Sequence, residues 1–252
     1  MVSVMSENRQ LNQKNAWVYR FMLSRPEKGN PLDPATIKLL HNSLTEAESS
    51  DSCIGFAIES KGKAFCSGAD VFACAELSKR PNELLEFFDH ARAFMLRLNS
   101  SRLITIAFIN GVAVAGGLEL AISCDLAIAS QSSIFMDKHA RYGFVPAFGS
   151  TVLLPAKIGY SAAAWLLLGD GNYTADEALR VGLVARIFSD FGFSNETERF
   201  LDSLKQLDSI SLSTIKKLIN QSMHTDEALI AEKAAVKQHF LRDGYDIDAI
   251  DF

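Results

Sequence analysis

The chain is organised around the stretch Val112-Ala113-Val114-Ala115-Gly116-Gly117-Leu118-Glu119-Leu120. A β-type run, Leu103–Ile109, precedes it, and the double glycine leads into an apolar, helix-like segment that carries a single carboxylate. The first N–H groups of a helix have no partner within the helix, and glycines let a ligand oxygen approach them closely. Gly116 is therefore a candidate backbone donor at a helix N-terminus.

The one carboxylate of this segment, Glu119, lies one helical turn after Gly116 and on roughly the same face. A carbonyl oxygen held at Gly116 would have this carboxylate beside its neighbouring carbon, which suits proton transfer next to a polarised carbonyl. A structural interpretation stays open here. A double glycine also permits tight helix packing, and a glutamate among apolar residues can be a capping or paired residue.

Composition and charge indicate a globular protein and argue against nucleic-acid-binding and membrane-spanning proteins. With 252 residues, 48% of them hydrophobic, the chain can bury a core as one domain with an appendage or as two modest domains. The net charge of −5 and the lack of a basic run argue against nucleic acid as a partner. The apolar runs fall far short of the roughly 20 residues that span a bilayer, so no membrane segment is expected.

The N-terminus and the cysteines indicate the compartment. The first 15 residues are polar and lack the apolar core of a secretory signal, which predicts a cytoplasmic protein. The four cysteines have no paired short spacing, so we predict no metal site and expect packed, reduced thiols at Cys53, Cys66, Cys74 and Cys124.

Strands and helices alternate along the predicted chain. Alternating or continuous apolar runs predict strands at 16–23, 53–59, 103–109, 126–129, 133–136 and 182–187. Apolar residues at helical spacing predict helices at 34–49, 71–77, 83–98, 161–168 and 174–180. Asp33 is expected to cap the first of these helices, and Thr174 with Glu177 fits a capping box at the last.

A second glycine-punctuated segment, residues 61–70, is predicted to be a loop that enters a short helix. Ala69 follows Gly68 at the start of that helix and could supply a second N–H donor. A plain surface turn is the alternative for this segment taken alone.

The C-terminal part is predicted to be helical. Three helices are expected between residues 194 and 241, with Ser194, Ser209 or Ser211, and Thr225 as caps. We therefore divide the chain into a core, residues 1–190, and a helical region, residues 191–252. The apolar stripes of this region suit packing, including packing between subunits.

Two glycine loops about 48 positions apart, with a carboxylate after the second, resemble the crotonase (enoyl-CoA hydratase/isomerase) family. The resemblance covers residues 17–186. It rests on several motifs taken together, which are Arg25-Pro26 with Asn30, Ala64-Phe65-Cys66-Ser67-Gly68-Ala69-Asp70, Asn110-Gly111 with Ala115-Gly116-Gly117-Leu118-Glu119, Cys124-Asp125-Leu126, Tyr142-Gly143-Phe144-Val145-Pro146, and Thr174-Ala175-Asp176-Glu177-Ala178 with Gly182-Leu183-Val184.

This resemblance implies an α/β fold, a spiral of ββα repeats with a helical C-terminal region that forms a homotrimer or a dimer of trimers. It implies a thioester substrate, an acyl-CoA or an acyl group on a carrier protein, with coenzyme A as part of the substrate and no separate cofactor. The thioester oxygen would accept hydrogen bonds from the N–H groups of Ala69 and Gly116, the two donors already reached from the residues themselves.

The resemblance also assigns acid/base positions. Family hydratases use two glutamates, one at Glu119 and one about twenty residues later, where this chain has His139. Histidine transfers protons near neutral pH, so a Glu119/His139 pair is chemically sensible. A solvated His139 that leaves the second position silent is the alternative. The remaining candidate positions contact substrate, and they are Lys28, Ser67, Gly68, Asp70, Gly117 and Tyr142.

Three functions follow from these residues. The first is an enoyl-CoA hydratase/isomerase that stabilises an enolate. The second is a polyketide-tailoring dehydratase or decarboxylase of the same family, which the stretch Arg141-Tyr142-Gly143-Phe144-Val145-Pro146 also resembles. The third is an inactive acyl-thioester binder. Nucleotide-binding glycine loops and the Gly-x-Ser-x-Gly elbow of serine hydrolases are absent from the sequence.

Overall fold

The computed structural model describes residues 16–221 and the isolated positions 230, 233, 234 and 237. The polar lead, residues 1–15, and Thr225, the predicted cap of the third C-terminal helix, lie outside the described residues, and of that helix only the isolated positions are described. The labelled elements in chain order are β1 (Trp17–Leu23), α1 (Pro34–Glu48), β2 (Cys53–Ser60), β3 (Ala64–Cys66), α2 (Val71–Ser78), α3 (Pro81–Ser100), β4 (Ile104–Ile109), β5 (Val112–Val114), α4 (Gly116–Ser123), β6 (Leu126–Ser130), β7 (Ile134–Met136), α5 (Ser150–Ile158), α6 (Tyr160–Leu167), β8 (Asn172–Thr174), α7 (Ala175–Val181), β9 (Arg186–Phe188), α8 (Phe193–Leu204) and α9 (Ser209–Gln221).

The strands form two sheets, and consecutive strands of the central repeats belong alternately to one sheet and the other. One sheet has the order β1-β2-β4-β6-β9 and the other has the order β3-β5-β7-β8. In the central repeats, the first strand of each pair (β2, β4, β6) joins the larger sheet and the second (β3, β5, β7) joins the smaller one, and helices follow. This alternation is the ββα repeat that the family resemblance implied.

Parallel pairing explains the apolar character of the central strands. Strand β4 pairs in parallel with β2 on one side and β6 on the other, and every residue of β4 is buried. Strands of parallel sheets are covered on both faces, so they read as continuous apolar runs rather than as an alternating pattern. The apolar run at residues 103–109 predicted a strand, and the structure places that strand in the middle of the larger sheet.

Two predicted helix caps are confirmed, and two are wrong. The Asp33 side chain accepts a hydrogen bond from the Thr36 N–H, and Thr174 forms the capping box with Glu177. Ser194 lies inside α8, whose N-cap is Gly192, because the chain turns into the helix two residues earlier than predicted. At α9 neither predicted serine caps the helix by itself, since the Asp208 carboxylate accepts the Ser211 N–H at 2.8 Å.

Short strands were the weakest part of the sequence prediction. The segment predicted as a loop, residues 61–70, contains β3, which pairs with β5 in the register Ala64↔Val112. Three residues are too few to show a strand period, so only pairing with a distant partner defines them. The predicted last strand, residues 182–187, is likewise reduced to Arg186–Phe188.

Two further expectations concern the cysteines and membranes. All four cysteines are free and buried, in agreement with the prediction of packed thiols. In the part of the chain that the structure describes, no helix combines the length and the apolar character needed to cross a membrane.

A buried lysine anchors α9 to the core. The Lys216 ammonium donates to the carbonyl oxygens of Leu98 and Leu103, both at 2.8 Å, and lies 2.7 Å from the Asp125 carboxylate. Asp125 also accepts the Thr105 N–H, so the same carboxylate joins the helical region to strand β4. The boundary that we set at residue 190 stays a prediction, but this contact crosses it.

Replacing Lys216 with methionine should lower the free energy of unfolding by about 3–5 kcal/mol, because it leaves the Asp125 charge without its buried partner. Urea unfolding of the Lys216→Met variant measures the change. The Lys216→Met/Asp125→Asn double variant is the control and should recover part of the loss. An unfolding midpoint equal to that of the wild type would contradict the anchoring role.

Candidate functional site

The centre of the site is the N-terminus of α4, which begins at Gly116 directly after strand β5. Ala115 joins the two elements with a φ of 48°, an uncommon conformation for a residue with a side chain. A methyl group on Gly117 would lie 2.2 Å from the Cys66 carbonyl oxygen, so only glycine allows α4 to approach β3 this closely. The Gly116 N–H is left without a helical partner at this point.

The second donor, the Ala69 N–H, lies beside the first. Leu32 binds the residues on either side of Ala69, since its N–H donates to Gly68 O and its carbonyl accepts the Asp70 N–H. Backbone groups alternate in direction along an extended chain, so the Ala69 N–H faces away from Leu32. A methyl group on Gly116 would lie 3.1 Å from the Ala69 nitrogen, which shows how close the two amides are.

Glu119 is fully buried in the first turn of α4, and one of its oxygens is held by backbone. Its Oε1 atom accepts hydrogen bonds from the Phe148 N–H at 2.9 Å and the Ser150 N–H at 3.0 Å. Ser150 is the first residue of α5, so the positive end of that helix also faces the carboxylate. The Oε2 atom is buried and accepts no hydrogen bond from the described residues.

The environment of Glu119 favours its protonated form. Burial raises the pKa of the Glu119 carboxyl above its usual range, while His139 and the two backbone donors act in the opposite direction. Such a group can hold a proton closer to neutral pH than a solvated glutamate does.

His139 faces Glu119 from the segment that follows β7. Its Nε2 atom lies 3.7 Å from Glu119 Oε2, and its Nδ1 atom lies 2.8 Å from the Asp137 Oδ2 atom. The Asp137 Oδ1 atom accepts the His139 backbone N–H at 3.0 Å. Only 13% of the His139 side chain is exposed, so it is not the solvated residue that the alternative interpretation required.

A cavity of about 110 Å³ adjoins these groups, and it is mostly apolar. His139 and Ala69 are among the residues that border the cavity, and the fully buried Glu119 is not. The other residues around it are Ser67, Val71, Cys74, Phe88, Val114, Ala115, Lys138, Tyr142, Phe144, Val145, Ala147 and Phe148. An apolar chamber next to two backbone donors suits an acyl group whose carbonyl lies at the donors.

The predicted substrate-binding residues are spread over different places. Ser67 and Tyr142 border the cavity. Lys28 is exposed on the turn Pro26–Lys28, and this turn adjoins the Ser67 loop because the Ser67 N–H donates to Gly29 O. Contact of these residues with a substrate stays a prediction.

The other predicted positions have structural contacts of their own. The Asp70 carboxylate caps α2 by accepting the N–H groups of Phe72 and Ala73. Gly68 has a φ of +96°, and a methyl group on it would lie 3.0 Å from the Gly116 nitrogen. Gly68 and Gly117 therefore shape the donor site through the backbone, and Asp70 fixes the helix that follows Ala69.

Sequence reasoning missed Asp137 and the two amides that bind Glu119. The sequence does show a signal for Asp137, because an aspartate two residues before a histidine can turn back onto its ring. No comparable signal marks the Phe148 and Ser150 amides. These lie 29 and 31 positions after Glu119, and only the tertiary fold brings them to its carboxylate.

Comparisons with known proteins agree with this geometry. The family model for enoyl-CoA hydratase/isomerase matches residues 13–244. The short-chain-enoyl-CoA hydratase of Clostridium acetobutylicum is 28% identical over 239 residues, which cover 94% of this chain and 91% of that protein. The crotonyl-CoA hydratase of Syntrophomonas wolfei is 28% identical over 205 residues, covering 81% of this chain and 78% of that protein.

A solved structure shows the same fold. The crystal structure of an enoyl-CoA hydratase/isomerase from Xanthobacter autotrophicus superimposes with a TM-score of 0.79 at 26% identity, covering 88% of this chain and 82% of that chain. The family match spans nearly the whole chain, including both glycine segments and the Glu119/His139 pair. The chain therefore belongs to the enoyl-CoA hydratase/isomerase family, the crotonase superfamily.

Proposed function

We propose that this chain adds water reversibly to the double bond of an enoyl thioester. The observation that carries the proposal is the convergence of Glu119 Oε2, a buried atom with no hydrogen bond from the described residues, and His139 Nε2, 3.7 Å away. Two acid/base atoms this close can share one water molecule. Relatives of this chain that are named as enoyl-CoA hydratases support the assignment.

In this mechanism the thioester oxygen accepts hydrogen bonds from the N–H groups of Ala69 and Gly116. These donors stabilise the negative charge that develops on the oxygen when the β-carbon is attacked. The water oxygen bonds to the β-carbon and gives one proton to a member of the Glu119/His139 pair. The other member supplies a proton to the α-carbon, so the atoms of one water molecule are added in total.

The substrate is proposed to be an acyl-CoA thioester, with an acyl group on a carrier protein as the second form. Coenzyme A is then part of the substrate, and the reaction as written needs no separate cofactor or metal.

We also propose a homotrimer or a dimer of trimers. The exposed apolar residues of α9, among them Ile210, Ile215 and Leu218, support this assembly. The cytoplasmic location stays a prediction from the sequence.

The test is incubation of the purified protein with enoyl thioesters on CoA and on carrier protein, in deuterated water, with products followed by mass spectrometry. Gain of one water supports hydration. Deuterium uptake alone would indicate a double-bond shift, and loss of carbon dioxide from a carboxyacyl thioester would indicate a tailoring decarboxylase. Binding without turnover of any thioester would overturn the proposal in favour of an inactive binder.

A further inference from the structure

Both carboxylate oxygens of Asp137 contact one and the same residue. Oδ1 accepts the backbone N–H of His139 at 3.0 Å, and Oδ2 lies 2.8 Å from the ring Nδ1 atom. Asp137 itself is only 3% exposed. The contact to the backbone N–H would be enough to close the turn. The second contact is directed at the imidazole ring.

This contact decides which ring nitrogen carries the proton. An ionised carboxylate only accepts hydrogen bonds, so the nitrogen next to Asp137 is the one that bears hydrogen. In the neutral ring Nε2 is then left with its lone pair. Nε2 is also the atom that approaches Glu119, while the ring borders the cavity. The opposite tautomer would present an N–H at Nε2 and could not take a proton there.

Other contacts hold the backbone of this segment. The His139 carbonyl accepts the N–H groups of Tyr142 and Phe144. On the outer side Lys138 and Arg141 both bind the Asp170 carboxylate, at 2.6 and 2.9 Å. The path of the chain therefore has supports that do not involve Asp137, and the effect of Asp137 on the ring can be separated from its effect on the fold.

We propose that Asp137 is a positioning residue, whose carboxylate holds His139 in the tautomer that presents a basic Nε2 atom to Glu119 and to the substrate. Through this contact a histidine can serve where the family resemblance expects a second glutamate. The inference rests on the proposed function, because it assigns a reason for the ring orientation in the same reaction.

The first test is the Asp137→Asn variant, which keeps the size of the side chain but can bind either tautomer. We expect kcat to fall by about a hundredfold or more, as happens when a catalytic histidine is held in the wrong tautomer. KM should change little, since Asp137 is not among the residues around the cavity.

The pH profile gives a readout that a purely structural role would not move. Charged groups near the His139 ring include Asp137 on its own segment and Glu119 on α4, and Lys138 borders the same cavity while its ammonium binds Asp170. Removing the Asp137 charge destabilises the imidazolium, so the acid limb of the kcat profile should move to lower pH.

Asp170→Asn is the matched control. It removes ion pairs to the neighbours of His139 but leaves the Asp137 contact in place, and exposed ion pairs contribute little. We expect kcat within about threefold of the wild type and an unchanged pH profile. An equal loss in the Asp170 and Asp137 variants would overturn the proposal and assign both residues to holding the loop.

The same Asp137 substitution in a variant that lacks His139 distinguishes a positioning role of Asp137 from a role in folding. His139→Glu introduces a side chain that has no tautomers, so adding Asp137→Asn to that variant should cost no further activity. A non-additive pair of this kind is evidence of direct coupling. The same loss in both backgrounds would overturn the positioning role.

A spectroscopic measurement works without turnover. The ¹⁵N chemical shifts of the His139 ring should report a protonated Nδ1 and an unprotonated Nε2 in the neutral wild type, and a shift toward the other tautomer in Asp137→Asn. A neutral wild-type ring protonated at Nε2 would overturn the inference. Failure of the proposed function would show as a lack of product with the tautomer unchanged, so the two failures are distinguishable.

Discussion

Replacing Glu119 with glutamine is expected to lower kcat by about 10²–10⁴-fold, the contribution of a positioned acid/base group. The amide oxygen can still accept the Phe148 and Ser150 N–H groups, so the local fold is retained. What is lost is the group at Oε2 that exchanges a proton with water or substrate. Steady-state kinetics with an enoyl thioester measure kcat, and equilibrium binding of the saturated analogue should remain within about twofold, because no binding contact is removed.

Unchanged kcat in Glu119→Gln would mean that His139 alone moves the protons. Stability provides the control for correct folding. The free energy of unfolding should rise by about 1–3 kcal/mol at neutral pH, because burying a neutral amide costs less than burying an ionised carboxylate. If the variant has a lower kcat and a higher free energy of unfolding, the loss of activity is due to the missing acid/base group and not to misfolding.

This gain in stability should depend on pH, with a definite sign. Burial raises the pKa of Glu119 in the folded chain above its ordinary value of 4.5. The unfolded chain therefore releases its proton first, and the stability of the wild type relative to Glu119→Gln falls as the pH rises above that value. Urea unfolding of both proteins between acid and neutral pH measures the difference, and a constant difference would contradict the desolvation of the carboxylate.

Replacing Gly116 with alanine is expected to lower kcat/KM by about 10²–10³-fold, the usual cost of losing an oxyanion donor. The added methyl group would lie 2.9 Å from the Phe148 ring and 3.1 Å from the Ala69 nitrogen. It would thus lie against the Ala69 N–H and block the place where we propose that the thioester oxygen binds. Kinetics at low substrate concentration measure kcat/KM directly.

Phe148→Ala gives the control for the Gly116 variant. This truncation removes the ring that the new methyl group meets, while the Phe148 N–H still binds Glu119. The Gly116→Ala/Phe148→Ala double variant should fold as well as Phe148→Ala alone and remain as inactive as Gly116→Ala. Recovery of activity in the double variant would show that a displaced ring, and not a blocked donor pair, causes the loss.

Local patterns predicted those parts of the fold that depend on neighbours in sequence. The buried strand Ile104–Ile109 and the capping box at Thr174 carry their own signals, namely an uninterrupted apolar run and a reciprocal pair of side chains. Strands β3 and β5 have three residues each and exist because they pair across 48 positions. No window of sequence shows such a pairing.

The sequence by itself indicated the family, the two glycine segments and the candidate acid/base pair Glu119 and His139. Gly68, Gly116 and Gly117 could be recognised because only glycine permits so close an approach between backbones, and that requirement is visible as a residue type. Glu119 could be recognised because a carboxylate in an apolar helix is uncommon.

Only the tertiary structure decided what these residues can do. It places the N–H groups of Phe148 and Ser150 on one oxygen of Glu119 and leaves the other oxygen facing His139. It also places Asp137 against the far side of the imidazole ring. Protonation states and tautomers depend on burial and on partners a few ångströms away in space, and neither is a property of the residue type or of its sequence neighbours.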